Sequence, residues 1–184
     1  YSASRPGPGA GCAVFDISGG SGPASLLAVQ GYSAAVDHGT TPQIGVFANA
    51  AGGGNLIAAG VTPSGWASYN LTGSGAFGPP LNSPLVIDPR AIAGLSSGGV
   101  TYVFLAPEGS SQPQSFTLAA GGVLTPVAPP PFLPTGPNLE AMSVAQTAHG
   151  NYLLTASAAS DVISSYAIAG DGVLTLAGQI TAMA

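Results

Sequence analysis

The chain carries almost no charge. Its 184 residues include seven Asp or Glu and two Lys or Arg, and both basic residues are arginines, Arg5 and Arg90. Charged residues therefore make up 5% of the chain, where about 25% is usual in globular domains. Without a basic patch to neutralise phosphates, a nucleic-acid partner is excluded, and so is polybasic attachment to anionic lipid.

Cysteine and long apolar runs are also scarce, whereas glycine, proline and apolar residues are abundant. A single cysteine, Cys12, excludes an internal disulfide, and no apolar run reaches the roughly 18–20 residues that span a bilayer. The 28 Gly and 17 Pro residues interrupt helices, while a hydrophobic content of 46% argues against disorder. The composition indicates a β-rich, turn-rich protein with a neutral polar surface.

The chain repeats itself. Shifted by 50 positions, residues 91–128 lie on residues 141–178 without a gap; shifted by 47, residues 68–71 lie on residues 115–118. The matches include Tyr102 with Tyr152, Ala106 with Ala156, Ser115 with Ser165, and Gly122-Val123-Leu124-Thr125 with Gly172-Val173-Leu174-Thr175. A fainter copy opens the chain between Val14 and Gly22. A period near 50 residues is typical of repeat architectures.

One repeat has the pattern of four short strands. In the last copy these are residues 141–146, 152–156, 162–168 and 173–180, and both glycines of the turn Gly170-Asp171-Gly172 are expected to take positive φ. We predict an all-β fold, a β-propeller built from four-stranded antiparallel blades of about 47–50 residues. The larger side chains of the second strand are expected between blades; they are Tyr102, Phe104, Tyr152 and Leu154. A string of β-sandwich repeats is the alternative.

The repeats divide the chain into one propeller domain of four units. We expect residues 1–40 to form a partial blade and connecting loop, and residues 41–88, 89–138 and 139–184 to form one blade each. This number of blades does not close a ring, so we expect missing sequence, a second copy or another polypeptide to complete it. The alternative is a four-bladed ring in which residues 1–32 form a degenerate blade. Because the chain begins at Tyr1, we expect a processed product or an incomplete sequence.

The repeat resembles a known family. Its opening is Pro89-Arg90-Ala91-Ile92-Ala93 in one copy and Leu139-Glu140-Ala141-Met142-Ser143 in the next, and its close is Val162–Ile168 followed by Gly172-Val173-Leu174-Thr175. This pattern is similar to the blades of the lactonase family, the 6-phosphogluconolactonase-like seven-bladed propellers. The resemblance covers residues 41–180 and, more faintly, residues 12–32.

The resemblance implies a ligand site at the funnel face, lined by residues that open the inner strands. The corresponding residues here are Gln43, Arg90 and Glu140. Arg90 would hold a carboxylate or phosphate through paired hydrogen bonds, and Glu140 would polarise a water molecule. Alternatively, Arg90 and Glu140 pair with each other or with Asp88 and line a wet channel. The family's His after the Arg is replaced by Ala91, which argues against lactone hydrolysis.

Other candidate residues carry weaker patterns. His38 lies beside Asp37 in a loop before an inner strand and is a further ligand-binding candidate, although a plain loop histidine is the alternative. Gly94-Leu95-Ser96-Ser97-Gly98 matches the nucleophile elbow, but we expect a turn between two strands here instead of the required strand and helix. The scattered carboxylates predict no metal site, and nothing in the sequence calls for a cofactor.

Two functions remain. The first is a non-catalytic propeller that acts as an interaction or scaffold module of a secreted or envelope-associated protein or larger assembly, with a protein or glycan partner. The second is a lactonase-like hydrolase that acts on a small acidic lactone through Arg90 and Glu140. We favour the first, because so few ionisable groups are available for catalysis.

Overall fold

A computed structural model of the chain describes residues 2–3, 11–16, 25–31, 43–48, 54–59, 66–71, 77–82, 89–107, 112–127, 139–157 and 160–181. Within these ranges all regular structure is β-strand, and within each sheet every strand pairs antiparallel with the next one along the chain. The predicted all-β class with four-stranded antiparallel units is confirmed.

The strands form four sheets. Sheet I has three strands: β1 (Ser2–Ala3), β2 (Gly11–Asp16) and β3 (Ser25–Gly31). Sheet II has four: β4 (Gln43–Ala48), β5 (Gly54–Ala59), β6 (Trp66–Leu71) and β7 (Phe77–Asn82). Sheet III contains β8 (Pro89–Ser97), β9 (Val100–Pro107), β10 (Gln114–Leu118) and β11 (Leu124–Pro126). Sheet IV contains β12 (Leu139–Thr147), β13 (Gly150–Ser157), β14 (Val162–Ile168) and β15 (Leu174–Thr181).

Each sheet falls within one of the four units expected from the repeats, although the unit boundaries themselves stay predictions. The first strands of sheets II, III and IV lie side by side, since β8 contacts both β4 and β12. Successive sheets therefore meet at their first strands, as the blades of a propeller do.

Sheet III is buried on both faces because its residues alternate between two cores. Along β9, Val103 and Leu105 pack with Ile57 of sheet II, whereas Tyr102 and Phe104 pack against sheet IV. Adjacent side chains on a strand point to opposite faces, so a strand that is covered on both sides needs an almost continuous apolar run. The run from Tyr102 to Ala106 meets that need.

The β10–β11 and β14–β15 hairpins each touch the preceding sheet. Gly122 and Gly172 have φ values of 85° and 84°, a region that favours glycine. A Cβ on Gly172 would overlap the Tyr102 ring, and one on Gly122 would lie 2.7 Å from Ser68 Oγ. Both backbone conformation and close approach therefore require glycine here. The prediction for the other turn glycine is wrong: Gly170 lacks positive φ, and the turn is instead supported by Asp171, whose Oδ1 accepts from the Val173 amide at 3.1 Å.

Candidate functional site

Two charged side chains occupy equivalent bulges. The pairing of β8 with β9 skips from Pro89 to Ala91, and that of β12 with β13 skips from Leu139 to Ala141. Arg90 and Glu140 are therefore the extra residues of the two bulges, which the register of the ladders skips. A β-bulge bends its strand and redirects the side chain of the extra residue.

The two bulges lie at neighbouring strand ends. Ala91, which follows Arg90, packs in one buried cluster with Ala106 and with Leu139, which precedes Glu140. Arg90 is half-buried and Glu140 is exposed. A guanidinium can bind an anionic group, and a carboxylate can polarise water. The structure thus brings together the strand ends that carry the two residues, while their joint action on a ligand stays a prediction.

The structure says less about Gln43 and His38, the other two residues predicted for the ligand site. Gln43 is the first residue of β4, at the place in sheet II that matches Arg90 in sheet III, but its side chain lies outside the described part. His38 lies outside the described residues altogether. Their assignment to a ligand site therefore stays a prediction.

The resemblance to the lactonase family implied a histidine directly after Arg90, where this chain has Ala91. Ala91 is 3% exposed and packs against Ala106 and Leu139. An imidazole at this position would need space that these two side chains occupy. The packing between sheets III and IV therefore favours a small side chain at position 91.

The structure also places Ser96, from the segment that matches the nucleophile elbow, and His149, the histidine within the described residues. Ser96 lies in β8, which a short turn joins to β9, and its hydroxyl lies 3.0 Å from Thr101 Oγ1. The predicted turn between two strands is confirmed, so this segment lacks the elbow's strand-to-helix geometry. His149 is exposed in the β12–β13 turn, where its amide donates to Thr147 Oγ1 at 3.1 Å.

Two further observations concern metals and membranes. Across the described ranges, no three His, Cys, Asp or Glu side chains cluster as a metal site would require. The same part of the chain contains no helix of the length and hydropathy that would cross a bilayer.

The most distinctive surface is the outer face of sheet IV, the face that points away from sheet III. We call it the open face. Cross-strand pairing places its residues in rows across the sheet. Its main members are Ala141, Tyr152, Leu154, Ala156, Ile163, Ser165 and Ile180. None of these side chains is charged, and Leu154, Ile163 and Ile180 are 39%, 39% and 65% exposed. Contiguous exposed apolar side chains typically mark an interaction site.

The expectation that the larger side chains of the second strand lie between blades is met in sheet III and stays a prediction for sheet IV. Tyr152 and Leu154 were expected between blades, as Tyr102 and Phe104 are. The latter pair is buried against sheet IV. Leu154 is exposed because no described sheet lies over it. The sequence repeat showed that these positions belong to a blade face, but not which copy of that face is covered.

Comparisons with known proteins give a likeness of fold. No protein-family model matches the chain, and no curated protein matches it. Among solved structures, a protein from Lactobacillus plantarum is similar with a TM-score of 0.63 and 20% identity, over 93% of this chain and 51% of that one. A provisionally assigned 6-phosphogluconolactonase from Bacteroides fragilis gives a TM-score of 0.46 and 17% identity, over 94% of this chain and 65% of that one.

The chain thus spans about half of the Lactobacillus protein and less than two thirds of the Bacteroides protein. Together with the four sheets, the first likeness defines the class: an all-β protein of successive antiparallel sheets arranged like propeller blades. At this level of identity the likeness concerns the fold and not the chemistry.

Proposed function

We propose that this chain is a non-catalytic β-propeller module that acts through its surfaces, as an interaction or scaffold part of a secreted or envelope-associated protein or larger assembly. The observation that carries the proposal is the open face. It is uncharged and mostly apolar, and it belongs to the same repeat position that is buried in sheet III. A surface of this kind fits a protein partner, and a glycan is the alternative partner.

The shortage of ionisable groups supports the same proposal. Hydrolysis of an ester or lactone needs a positioned acid, base, nucleophile or metal. The whole sequence has nine charged residues, and among those that the structure describes only Arg90 and Glu140 occupy matching positions at the ends of first strands. A surface almost without charge and entirely without lysine is also the compositional reason for placing the module outside the cytoplasm.

The second candidate function is a lactonase-like hydrolase. The specific observation in its favour is the pair of equivalent bulges that carry Arg90 and Glu140. In this alternative, Arg90 orients an acidic lactone and Glu140 polarises the attacking water. The buried Ala91, in place of the family's histidine, argues against it.

A hydrolysis assay separates the two functions. The protein would be incubated with a phosphorylated gluconolactone, and ring opening would be followed against buffer alone. We expect no excess turnover. The comparison set is Arg90→Ala, Glu140→Gln and, as a control carboxylate remote from the bulges, Asp171→Asn. Turnover by the unmodified protein that both bulge variants abolish and the control retains would overturn the proposal in favour of the hydrolase.

A further inference from the structure

The outer edge of sheet IV is formed by its fourth strand, β15, and it differs from the outer edges of sheets II and III. The fourth strands of those two sheets carry prolines: Pro79 and Pro80 in β7, and Pro126 in β11. Proline has no backbone N–H and hinders the pairing of a further strand at a sheet edge. β15 runs for eight residues without a proline or a charged residue. Its edge therefore lacks the protection that the two preceding sheets have.

The same contrast is present in the sequence. Continued past residue 178, the shift of 50 positions places Gln179-Ile180-Thr181 on Pro129-Pro130-Pro131. All 17 prolines of the chain lie before residue 138, so the last repeat contains none. The composition thus singles out the last fourth strand as the one whose backbone can accept a partner strand.

The pairing of β14 with β15 shows which backbone groups point outward. The amide of Ala169, next to the end of β14, donates across the hairpin at 2.9 Å. Backbone groups in an antiparallel pair alternate between the two sides of a strand. Ile163, an even number of positions earlier, therefore also directs its backbone groups to β15, where it pairs with Ile180. On either side of Ile180, the amides and carbonyls of Gln179 and Thr181 consequently point to the outer edge.

The exposure of this edge does not depend on what lies over the open face. Sheets II, III and IV meet at their first strands, and β15 is the strand of sheet IV farthest from its first strand. In a propeller the fourth strands lie at the outer rim. Among the strands that the structure describes, none pairs with the outer edge of β15.

We propose that β15 is a docking edge for an extended strand of a partner protein, which joins sheet IV through main-chain hydrogen bonds. The proposal rests on the interaction-module function above and names the kind of partner. In strand addition, main-chain hydrogen bonds supply affinity and alternate side chains supply selectivity. The outward-pointing groups of Gln179 and Thr181 are the ones that a partner strand would pair with.

The side chains along the edge define the partner strand further. On the open face, Ile180 and Ile163 are 65% and 39% exposed, so the partner residues beside them should be apolar. On the opposite face the edge is polar, since Gln179 Nε2 donates to Ser164 Oγ at 3.0 Å. β15 carries no charge and offers none to attract a charged strand. The strand that fits is therefore uncharged and alternates apolar with polar residues.

The test is a titration of the intact, isotope-labelled protein with a blocked peptide of alternating valine and threonine, followed by the NMR signals and hydrogen exchange of its amides. We expect saturable shifts centred on β15 and slower exchange of the Gln179 and Thr181 amide protons. The control peptide has proline at its two central positions. It should bind at least about tenfold more weakly, because proline interrupts main-chain pairing.

Thr181→Pro gives β15 a proline at a position where the preceding repeat has one. The variant removes an outward-pointing amide and no hydrogen bond to β14, so the thermal midpoint should be unchanged while the affinity for the peptide falls about tenfold. Leu154→Ser is the matched control. It alters the open face two strands away from β15 and should leave the affinity for the peptide unchanged.

Several results would overturn the proposal: no saturable shifts, equal binding of the two peptides, or full affinity in Thr181→Pro. Loss of binding in Leu154→Ser would contradict it by placing the peptide on the open face. Amides of β15 that become protected as the protein alone is concentrated would contradict it in favour of a second copy. If Thr181→Pro fails to fold, the two peptides and the exchange of Gln179 still decide. None of these outcomes depends on the hydrolysis assay, so either proposal can fail alone.

Discussion

Sheets III and IV are built from nearly the same sequence pattern, yet they have different surroundings. In sheet III, Phe104 is fully buried and Ser115 is 5% exposed; in sheet IV, the matching Leu154 is 39% exposed and Ser165 is partly exposed. The difference lies in the neighbours, since sheet III has a sheet on each side and sheet IV has one on a single side in the described part of the chain. A repeat thus carries the potential for an interface, and its position among the neighbouring sheets decides whether that interface is formed.

The largest expected difference in stability is between alanine variants of Phe104 and Leu154, the matching apolar residues at the centres of the two faces. Phe104→Ala should lower the free energy of unfolding by about 3–5 kcal/mol, because it opens a cavity between sheets III and IV. Leu154→Ala should cost less than about 1 kcal/mol in the monomer, since much of that side chain already meets water. Urea denaturation at a concentration that keeps the chain monomeric measures both values. Equal losses would mean that the open face is covered within one chain.

The hairpin that joins the two sheets provides the next comparison. Gly172→Ala should cost about 2–4 kcal/mol, because φ is 84° and the added methyl group would overlap the Tyr102 ring. Gly170→Ala, two residues earlier, is the control. Its φ is not positive and a Cβ there would meet nothing within 4 Å, so its stability should change by less than about 0.5 kcal/mol. Similar thermal midpoints for the two variants would contradict the proximity of hairpin and sheet.

The smallest expected effect on stability is that of removing the hydroxyl groups of Ser115 and Ser165, which occupy matching positions in the two sheets. Ser115→Ala removes the donor to the Gly172 carbonyl and leaves that acceptor without this bond, which should cost about 1–2 kcal/mol. In monomeric protein, Ser165→Ala should be close to neutral, because no hairpin of the described residues lies over it. Chemical denaturation of both variants sharpens the comparison. A loss at Ser165 as large as that at Ser115 would show that the two faces are equally covered.

The repeats predicted much of this fold. A gap-free shift of 50 positions located the hairpins at Gly122 and Gly172 and the strands on either side, because side-chain alternation and turn glycines are local properties. The bulges at Arg90 and Glu140 were not predicted. Both copies carry the extra residue, so their alignment shows no gap, and only the pairing with the second strand reveals it.

The candidate site was predictable only in part. The repeat offset identified Arg90 and Glu140 as equivalent, and the structure places the ends of their strands together. The open face could not be recognised in advance, because Tyr152, Leu154 and Ser165 have the same residue types as a covered face. Exposure depends on which sheets are neighbours, and that is a property of the folded chain.

The contact between the β14–β15 hairpin and sheet III is the central claim, since the comparison of the two faces depends on it. Its most direct test is an NMR cross-relaxation measurement between the ring protons of Tyr102 and the α-protons of Gly172, in protein with protonated tyrosine and glycine on a deuterated background. The structure predicts a strong cross-peak, because a Cβ on Gly172 would overlap that ring. A spectrum in which the Tyr102 ring shows no cross-peak to Gly172 would contradict the stacking of sheet IV on sheet III.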